Sequence, residues 1–285
     1  MSLSNENDTL LDEIGRGIAA GRLIPYLGPE VLTFETIPPV PVGARPLAHA
    51  LNSRVAVPGR VRNNLWHTSQ YIETHRHRVT VDRLMAEFFA PIPAPSALHR
   101  WLAGLPALPL VVDTWYDGTM RAALLDSGRT DWGQVQGASK ARRLDGGVWY
   151  RTVSADGTIC PDDAAGEWST LLYKPHGAAQ PTGDVLVSDA DYVEVLTEID
   201  IQTPIPEAVK QRRAGRGFVY LGCRFYDQIL RTFARQIAKH SGGPRYAVVP
   251  EDLTRNEIRF LEVEGIRPLT LPLADAVARL SALQP

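Results

Sequence analysis

Residues 23–30 contain the segment Leu23-Ile24-Pro25-Tyr26-Leu27-Gly28-Pro29-Glu30. Its first five residues form a short, mostly apolar run, which is typical of a strand buried on both faces. Gly28-Pro29 ends the run, as expected where the carboxyl end of a strand opens into a loop. Apolar residues at helical spacing come before it, namely Leu10, Leu11, Ile14 and Ile18. This part of the chain therefore predicts a helix followed by a buried strand.

The same alternation continues along the chain. Further short apolar runs occur at 108–112, 171–173, 184–187, 218–221, 246–249 and 269–271. Helical patterns fill most of the gaps between these runs. Strands without a polar face that alternate with amphipathic helices indicate a parallel sheet covered on both sides. The sequence therefore predicts an α/β fold with a mostly parallel sheet and helices on both faces.

Two segments depart from this alternation. Residues 44–104 carry several helical patterns, so they are predicted to form a helical subregion. Residues 126–169 are rich in glycine, tryptophan and charge, and they contain a turn signal at 156–157. We interpret this second segment as a small inserted lobe. Its tryptophans, Trp132, Trp149 and Trp168, are expected to mark a small core or a protein contact.

Composition and charge exclude several classes of protein. The 285 residues carry a formal net charge of −2, whereas nucleic-acid-binding proteins usually have a strong basic excess. Cys160 and Cys223 are the only cysteines, so neither a four-cysteine zinc site nor a disulfide framework is expected. The first residues are polar and acidic, and no run of about 18 apolar residues occurs. We therefore expect a soluble, cytoplasmic protein that holds no zinc or other metal and binds neither membranes nor nucleic acid.

Four predicted strands are followed by loops that contain polar residues, and three of these loops also contain glycine. These loops are Gly28-Pro29-Glu30, Asp113-Thr114-Trp115-Tyr116-Asp117, Lys174-Pro175-His176-Gly177 and Gly222-Cys223-Arg224-Phe225-Tyr226-Asp227. Ligands of open parallel sheets bind outside the carboxyl ends of the strands. The four loops are therefore predicted to meet and to form the ligand site.

In this order and spacing, the four segments resemble the sirtuin-like, or silent-information-regulator-two-like, family, particularly its compact bacterial members without a zinc module. The resemblance spans about residues 8–275, and it implies a single sirtuin-like domain over residues 1–285 with a Rossmann-like sheet. It implies NAD, or an ADP-ribose-like nucleotide, as the small-molecule partner. It also implies cleavage of the nicotinamide glycosidic bond, leading to deacylation or to NAD hydrolysis. A protein partner or a homo-oligomer remains an open alternative.

The resemblance assigns His176 to the family's general base, which acts on ribose hydroxyls. This chemistry is credible because an imidazole titrates near neutral pH, although a structural histidine that satisfies a loop carbonyl is the alternative. Thr114 and Asp117 match residues that shape the site around it. Trp115 stands between them, where the family has an asparagine that holds the water or ribose beside the breaking bond. An indole donates one hydrogen bond, accepts none and fills more volume than an amide.

The remaining matches concern nucleotide binding. Gly28, Pro29 and Glu30 occupy the family's phosphate loop, although Glu30 and Leu32 replace a glycine and a serine there, and a carboxylate would repel a pyrophosphate. Gly222 and Cys223 match a glycine and a serine that approach the nucleotide. Asp227 matches an acidic residue, and capping of the next helix is the favoured role for it.

These departures predict a nucleotide-binding protein whose catalysis is weak or absent. Two alternatives stay open: an active NAD glycohydrolase or deacylase that uses His176, and a non-catalytic scaffold. An enzyme is expected to keep a water-accessible pocket around His176, whereas a scaffold is expected to fill that pocket with Trp115 and Leu32.

Overall fold

A computed structural model describes residues 3–33, 37–139, 148–198 and 205–283. The described residues form one nine-stranded sheet. Its strands are β1 (Leu23–Leu27), β2 (Leu110–Asp113), β3 (Trp132–Gly137), β4 (Tyr150–Ser154), β5 (Ile159–Cys160), β6 (Thr170–Lys174), β7 (Gly217–Leu221), β8 (Arg245–Val249) and β9 (Arg267–Thr270). Their order across the sheet is β5-β4-β3-β6-β2-β1-β7-β8-β9. All neighbouring strands are parallel except the two pairs that involve β4, so the predicted α/β fold with a Rossmann-like, mostly parallel sheet is confirmed.

Helices cover both faces of the sheet. They are α1 (Leu3–Ala19), α2 (Ala44–Arg54), α3 (Leu65–Arg76), α4 (Arg78–Phe88), α5 (Ala97–Ala103), α6 (Thr119–Asp126), α7 (Asp189–Glu198), α8 (Glu207–Arg213), α9 (Gln228–Ala238), α10 (Arg255–Val263) and α11 (Leu273–Ser281). One core contains residues of α1, α5, α6 and α11, and the other contains residues of α2 to α4 and α7 to α10. Strand β1 contributes Ile24 and Tyr26 to one core and Leu23 and Leu27 to the other, because successive side chains point to opposite faces.

The predicted helical subregion, residues 44–104, contains α2 to α5. Three of these helices pack on the same face of the sheet as the ligand-site loops, where α3 contacts both α2 and α4. The fourth, α5, packs on the opposite face against α6 and α11. The subregion therefore spans both layers, and only α2 to α4 lie near the site.

The segment predicted as an inserted lobe, residues 126–169, differs from the prediction. Its described residues place β3 beside β6 in the main sheet, and β4 and β5 extend that sheet at its edge. The expected turn at 156–157 does join the β4 and β5 hairpin. Trp132 is fully buried in the domain core, so it marks no separate core. The buried strand β3 was not predicted, because the segment that contains it is rich in tryptophan and polar residues.

A second local difference concerns residues 184–187, which were predicted to form a strand. They form a single antiparallel bridge between Gly177 and Val185 instead. This bridge folds the segment back onto the His176 loop, where Leu186 N donates to the His176 carbonyl at 2.8 Å.

No helix of the described residues is both long enough and apolar enough to cross a membrane.

Candidate functional site

The four predicted loops follow β1, β2, β6 and β7, which are adjacent in the sheet, so their carboxyl ends meet at one edge. A cavity of about 180 Å³ lies there between the loops and the start of α2 and α3. Seven predicted site residues line it: Gly28, Pro29, Glu30, Thr114, Trp115, His176 and Cys223. The loops therefore come together as the strand order requires.

A second cavity of about 430 Å³ adjoins the first, and it is lined by Asp227 among others. Glu30, Ala44, Trp66, Arg224 and Tyr226 border both cavities, so we call the two together the carboxyl-edge cleft. A larger cavity of about 530 Å³ lies near the amino ends of β1, β7 and β8, at the opposite edge of the sheet. None of the predicted site residues borders that larger cavity.

His176 is buried at the base of the cleft, with 2% of its surface exposed. Its Nδ1 lies 3.0 Å from the Tyr192 hydroxyl, which lies 2.8 Å from the Leu186 carbonyl oxygen. With the Tyr192 hydrogen directed to the Leu186 carbonyl, we assign the proton of neutral His176 to Nδ1, which then donates to the Tyr192 oxygen. Nε2 therefore carries a free lone pair, and this buried atom has no hydrogen-bond partner among the described residues.

Trp115 fills part of the cleft and is 5% exposed. Its ring packs against Phe89 and Tyr116, and its Nε1–H donates to the Pro41 carbonyl at 2.8 Å. An indole has no second donor, so Trp115 has no polar group left for a ligand. Through this hydrogen bond, Trp115 holds the proline-rich segment 37–43 beside the cleft. Leu32 is also buried, in the same core.

Thr114 and Asp117 connect elements of the protein. The Thr114 hydroxyl donates to the Leu27 carbonyl at 2.8 Å, which joins the ends of β1 and β2. Asp117 Oδ1 accepts a hydrogen bond from Thr119 N at 2.8 Å, at the start of α6. Asp117 is buried and does not line the cleft. The hydrogen bonds of Thr114 and Asp117 thus stabilise the loop after β2.

Gly28 and Gly222 approach each other. A Cβ on Gly28 would lie 2.1 Å from the Gly222 carbonyl oxygen, and a Cβ on Gly222 would lie 2.7 Å from Val31 N. Gly222 also has a φ of +66°, which favours glycine. Gly222 does not border the described cavities of the cleft. Both glycines are needed for the contact between the two loops.

The phosphate-loop positions fit a pyrophosphate poorly in this arrangement. The backbone N–H groups of Gly28, Glu30 and Val31 already donate to protein carbonyls, and Pro29 has no N–H. Burial raises the pKa of the Glu30 carboxyl, although Arg224 opposes the rise. Arg224 itself forms an ion pair with Glu257 at 2.9 Å. The N–H groups of Gly28, Glu30 and Val31 are therefore not free to bind a pyrophosphate in this arrangement.

Cys223 and Asp227 have simpler roles. Burial raises the pKa of the Cys223 thiol well above its usual value, so it is a neutral, buried group at neutral pH. Asp227 Oδ1 accepts a hydrogen bond from Ile229 N at 2.8 Å, and Asp227 is the N-cap of α9. The favoured capping role of Asp227 is confirmed.

A family model described as a SIR2-like domain matches residues 109–269, more than half of the chain. The chain belongs to the SIR2-like family. The sirtuin-like resemblance is thereby confirmed, together with the fold that it implies. A search of curated proteins gave no match. Three of the four site loops of this SIR2-like chain lie within the matched residues.

Sequence reasoning missed a buried ion pair beneath the site of this SIR2-like domain. Lys174 Nζ, at the end of β6, lies 2.8 Å from Asp113 Oδ2, at the end of β2, and it donates to the Asp117 carbonyl at 2.9 Å. Both side chains are less than a tenth exposed. Burial raises the pKa of Asp113, and the charge of Lys174 opposes the rise. The sequence signal for this ion pair was that two oppositely charged residues, Asp113 and Lys174, end two strands that lie next to each other in the sheet.

No group of three or more potential metal ligands occurs among the described residues.

The burial of His176 predicts a specific pH dependence of stability. Burial, with the charge of Lys174, lowers the pKa of His176 to about 3, whereas an unfolded chain protonates its imidazole near pH 6.5. The stability contributed by neutral His176 is therefore complete above pH 6.5 and is lost as the pH falls towards 3.

Between pH 7 and pH 5, the wild type should lose about 2 kcal/mol more unfolding free energy than His176→Phe. Urea unfolding of both proteins at the two pH values measures this difference. Equal losses in the two proteins would show that His176 is protonated in the folded state at pH 5.

Proposed function

We propose that the carboxyl-edge cleft of this SIR2-like protein binds NAD or a related adenine nucleotide, and that nicotinamide release there is weak or absent. The observation that carries the proposal is the buried Nε2 of His176, a hydrogen-bond acceptor without a partner among the described residues. Buried polar groups in native proteins almost always have partners, and a ligand hydroxyl supplies a fitting donor. Aromatic side chains at the cleft, including Tyr26, Phe225 and Tyr226, offer surfaces for a base or a ribose ring.

Weak catalysis is proposed because the position of the family asparagine offers no free polar group. The only donor of Trp115 is bonded to Pro41, and its ring occupies space beside His176 in the cavity lining. A pKa of about 3 also makes His176 a hydrogen-bond acceptor and a weak proton acceptor. Removal of one positioned polar group typically costs about 10²–10³ in rate.

A non-catalytic scaffold is the second candidate. It is supported by the burial of Trp115 and Leu32 in the core beside the cleft, which was the packing expected of a scaffold. An active hydrolase or deacylase is less well supported, because Trp115 has no free polar group and the low pKa of His176, about 3, makes it a weak base.

Calorimetric titration of the protein with NAD and with ADP-ribose, followed by a nicotinamide-release assay on the same sample, tests the proposal. Both ligands should bind, and His176→Phe should weaken binding about 10-fold, the effect of about one hydrogen bond. The matched control is His75→Phe, because His75 is exposed on α3 and does not line the cleft. The absence of binding by the wild type would favour the scaffold, and rapid nicotinamide release would favour the active enzyme.

A further inference from the structure

Glu30 brings a carboxylate without a hydrogen-bond partner to the carboxyl-edge cleft. It lies in the loop after β1, is partly exposed and borders both cavities of the cleft. No residue in the described part of the chain donates a hydrogen bond to its carboxylate. Burial raises the pKa of this carboxyl. Glu30 is therefore a partly buried acid that protein donors leave unsatisfied.

The charge of Glu30 acts on three other side chains of the cleft. Burial raises the pKa of the Cys223 thiol, and the charge of Glu30 adds to the rise. Burial also raises the pKa of the Tyr226 hydroxyl, again with a contribution from Glu30. The hydrogen bond to Glu257 raises the pKa of Arg224, and Glu30 contributes further. Because Cys223, Tyr226 and Arg224 all line the first cavity, Glu30 presents its charge to the cleft.

Arg224 does not neutralise Glu30. Its Nε and Nη2 atoms donate to the two carboxylate oxygens of the buried Glu257 at 2.9 and 3.1 Å. Its Nη1 atom lies 3.5 Å from Oδ1 of Asp252. One guanidinium group thus interacts with three carboxylates, those of Glu257, Asp252 and Glu30. Arg45 borders the second cavity of the cleft and not the first. Negative charge therefore predominates beside the loop after β1.

We propose that Glu30 is a specificity residue that selects against a phosphate beside the loop after β1, so that the cleft prefers an uncharged adenine nucleoside to its diphosphate. The inference rests on the proposed function and names the ligand class that the same cleft favours. Like charges about 4 Å apart repel each other even in water. The N–H groups of Gly28, Glu30 and Val31 are bonded within the protein, so they do not offset this repulsion. NAD and ADP-ribose still bind through the aromatic side chains of the cleft, with an affinity that Glu30 lowers.

Calorimetric titration of the full chain with adenosine and with ADP tests the inference. The wild type should bind adenosine more tightly than ADP. Glu30→Gln keeps the shape of the side chain and removes its charge, so its affinity for ADP should rise about 5-fold while its affinity for adenosine is unchanged. Glu13→Gln is the matched control, because Glu13 is exposed on α1 and does not line the cleft. This control should bind both ligands as the wild type does.

Salt provides a second readout, because a change in packing would not respond to it. The Debye length falls from about 10 Å at about 0.1 M salt to about 3 Å at about 1 M salt, so the gain of Glu30→Gln for ADP should shrink at the higher concentration. Equal affinity of the wild type and Glu30→Gln for ADP, a gain that adenosine shares, or a gain that salt leaves unchanged would overturn the inference and leave the proposed function intact. The absence of binding by adenosine, ADP and ADP-ribose would overturn the two together.

Discussion

The Trp115→Asn variant is expected to release nicotinamide from NAD about 10²–10³ times faster than the wild type. The substitution removes an indole that fills the cleft and whose donor is bonded to Pro41. It places an amide, with both a donor and an acceptor, at the position where the resemblance implies that the family holds a water or ribose. The assay measures nicotinamide per mole of folded protein.

Trp115→Phe is the matched control for this gain. It also breaks the bond to Pro41, but it supplies no amide, so its release rate should stay near that of the wild type. Thermal unfolding accompanies both assays, because loss of a buried tryptophan typically costs about 3–5 kcal/mol. A folded Trp115→Asn protein that binds ADP-ribose and releases no more nicotinamide than the wild type would show that Trp115 does not limit catalysis.

The Lys174→Met variant is expected to lose about 3–5 kcal/mol of unfolding free energy. Lys174 is 2% exposed, and its ammonium group is bonded to Asp113 and to the Asp117 carbonyl. Its removal leaves the buried Asp113 carboxylate without its cation, and a buried unpaired charge is costly. Urea unfolding at pH 7 measures the loss.

Two controls separate the buried ion pair from general effects of the substitution. Lys210→Met removes a surface ion pair with Glu207, whose side chain is 67% exposed, and should cost less than about 1 kcal/mol. The double variant Asp113→Asn/Lys174→Met should recover part of the stability, because it leaves no buried charge unpaired. A Lys174→Met protein as stable as Lys210→Met would contradict the assigned role of the ion pair.

Strands β1, β6 and β7 were predicted correctly because they are buried along their whole length and their sequences are mostly apolar. Strand β3 was missed because its sequence, residues 132–137, contains two glutamines and two glycines. Both glutamines are buried and form side-chain hydrogen bonds, including one from Gln134 to Gln136 and one from Gln136 to the Thr182 hydroxyl. Such bonds depend on a loop about 46 residues away, and a local pattern cannot show them.

The sequence was sufficient to predict which loops form the site. Parallel strands bring their carboxyl ends to one edge, so Thr114, His176 and Gly28 were expected to meet, and they border one cavity. Contacts between side chains were not predictable. Trp115 finds its acceptor 74 residues earlier, in segment 37–43, and Trp66 enters the cleft from a helix that carries none of the four motifs. Positions of this kind follow from tertiary packing.

The crystal structure of the complex with ADP-ribose tests the central claim most directly. The account predicts that the ligand lies in the carboxyl-edge cleft, with a ribosyl hydroxyl within about 3 Å of His176 Nε2. Ligand density in the 530 Å³ cavity at the opposite edge of the sheet, beside Gly17 and Gly215, would contradict the account.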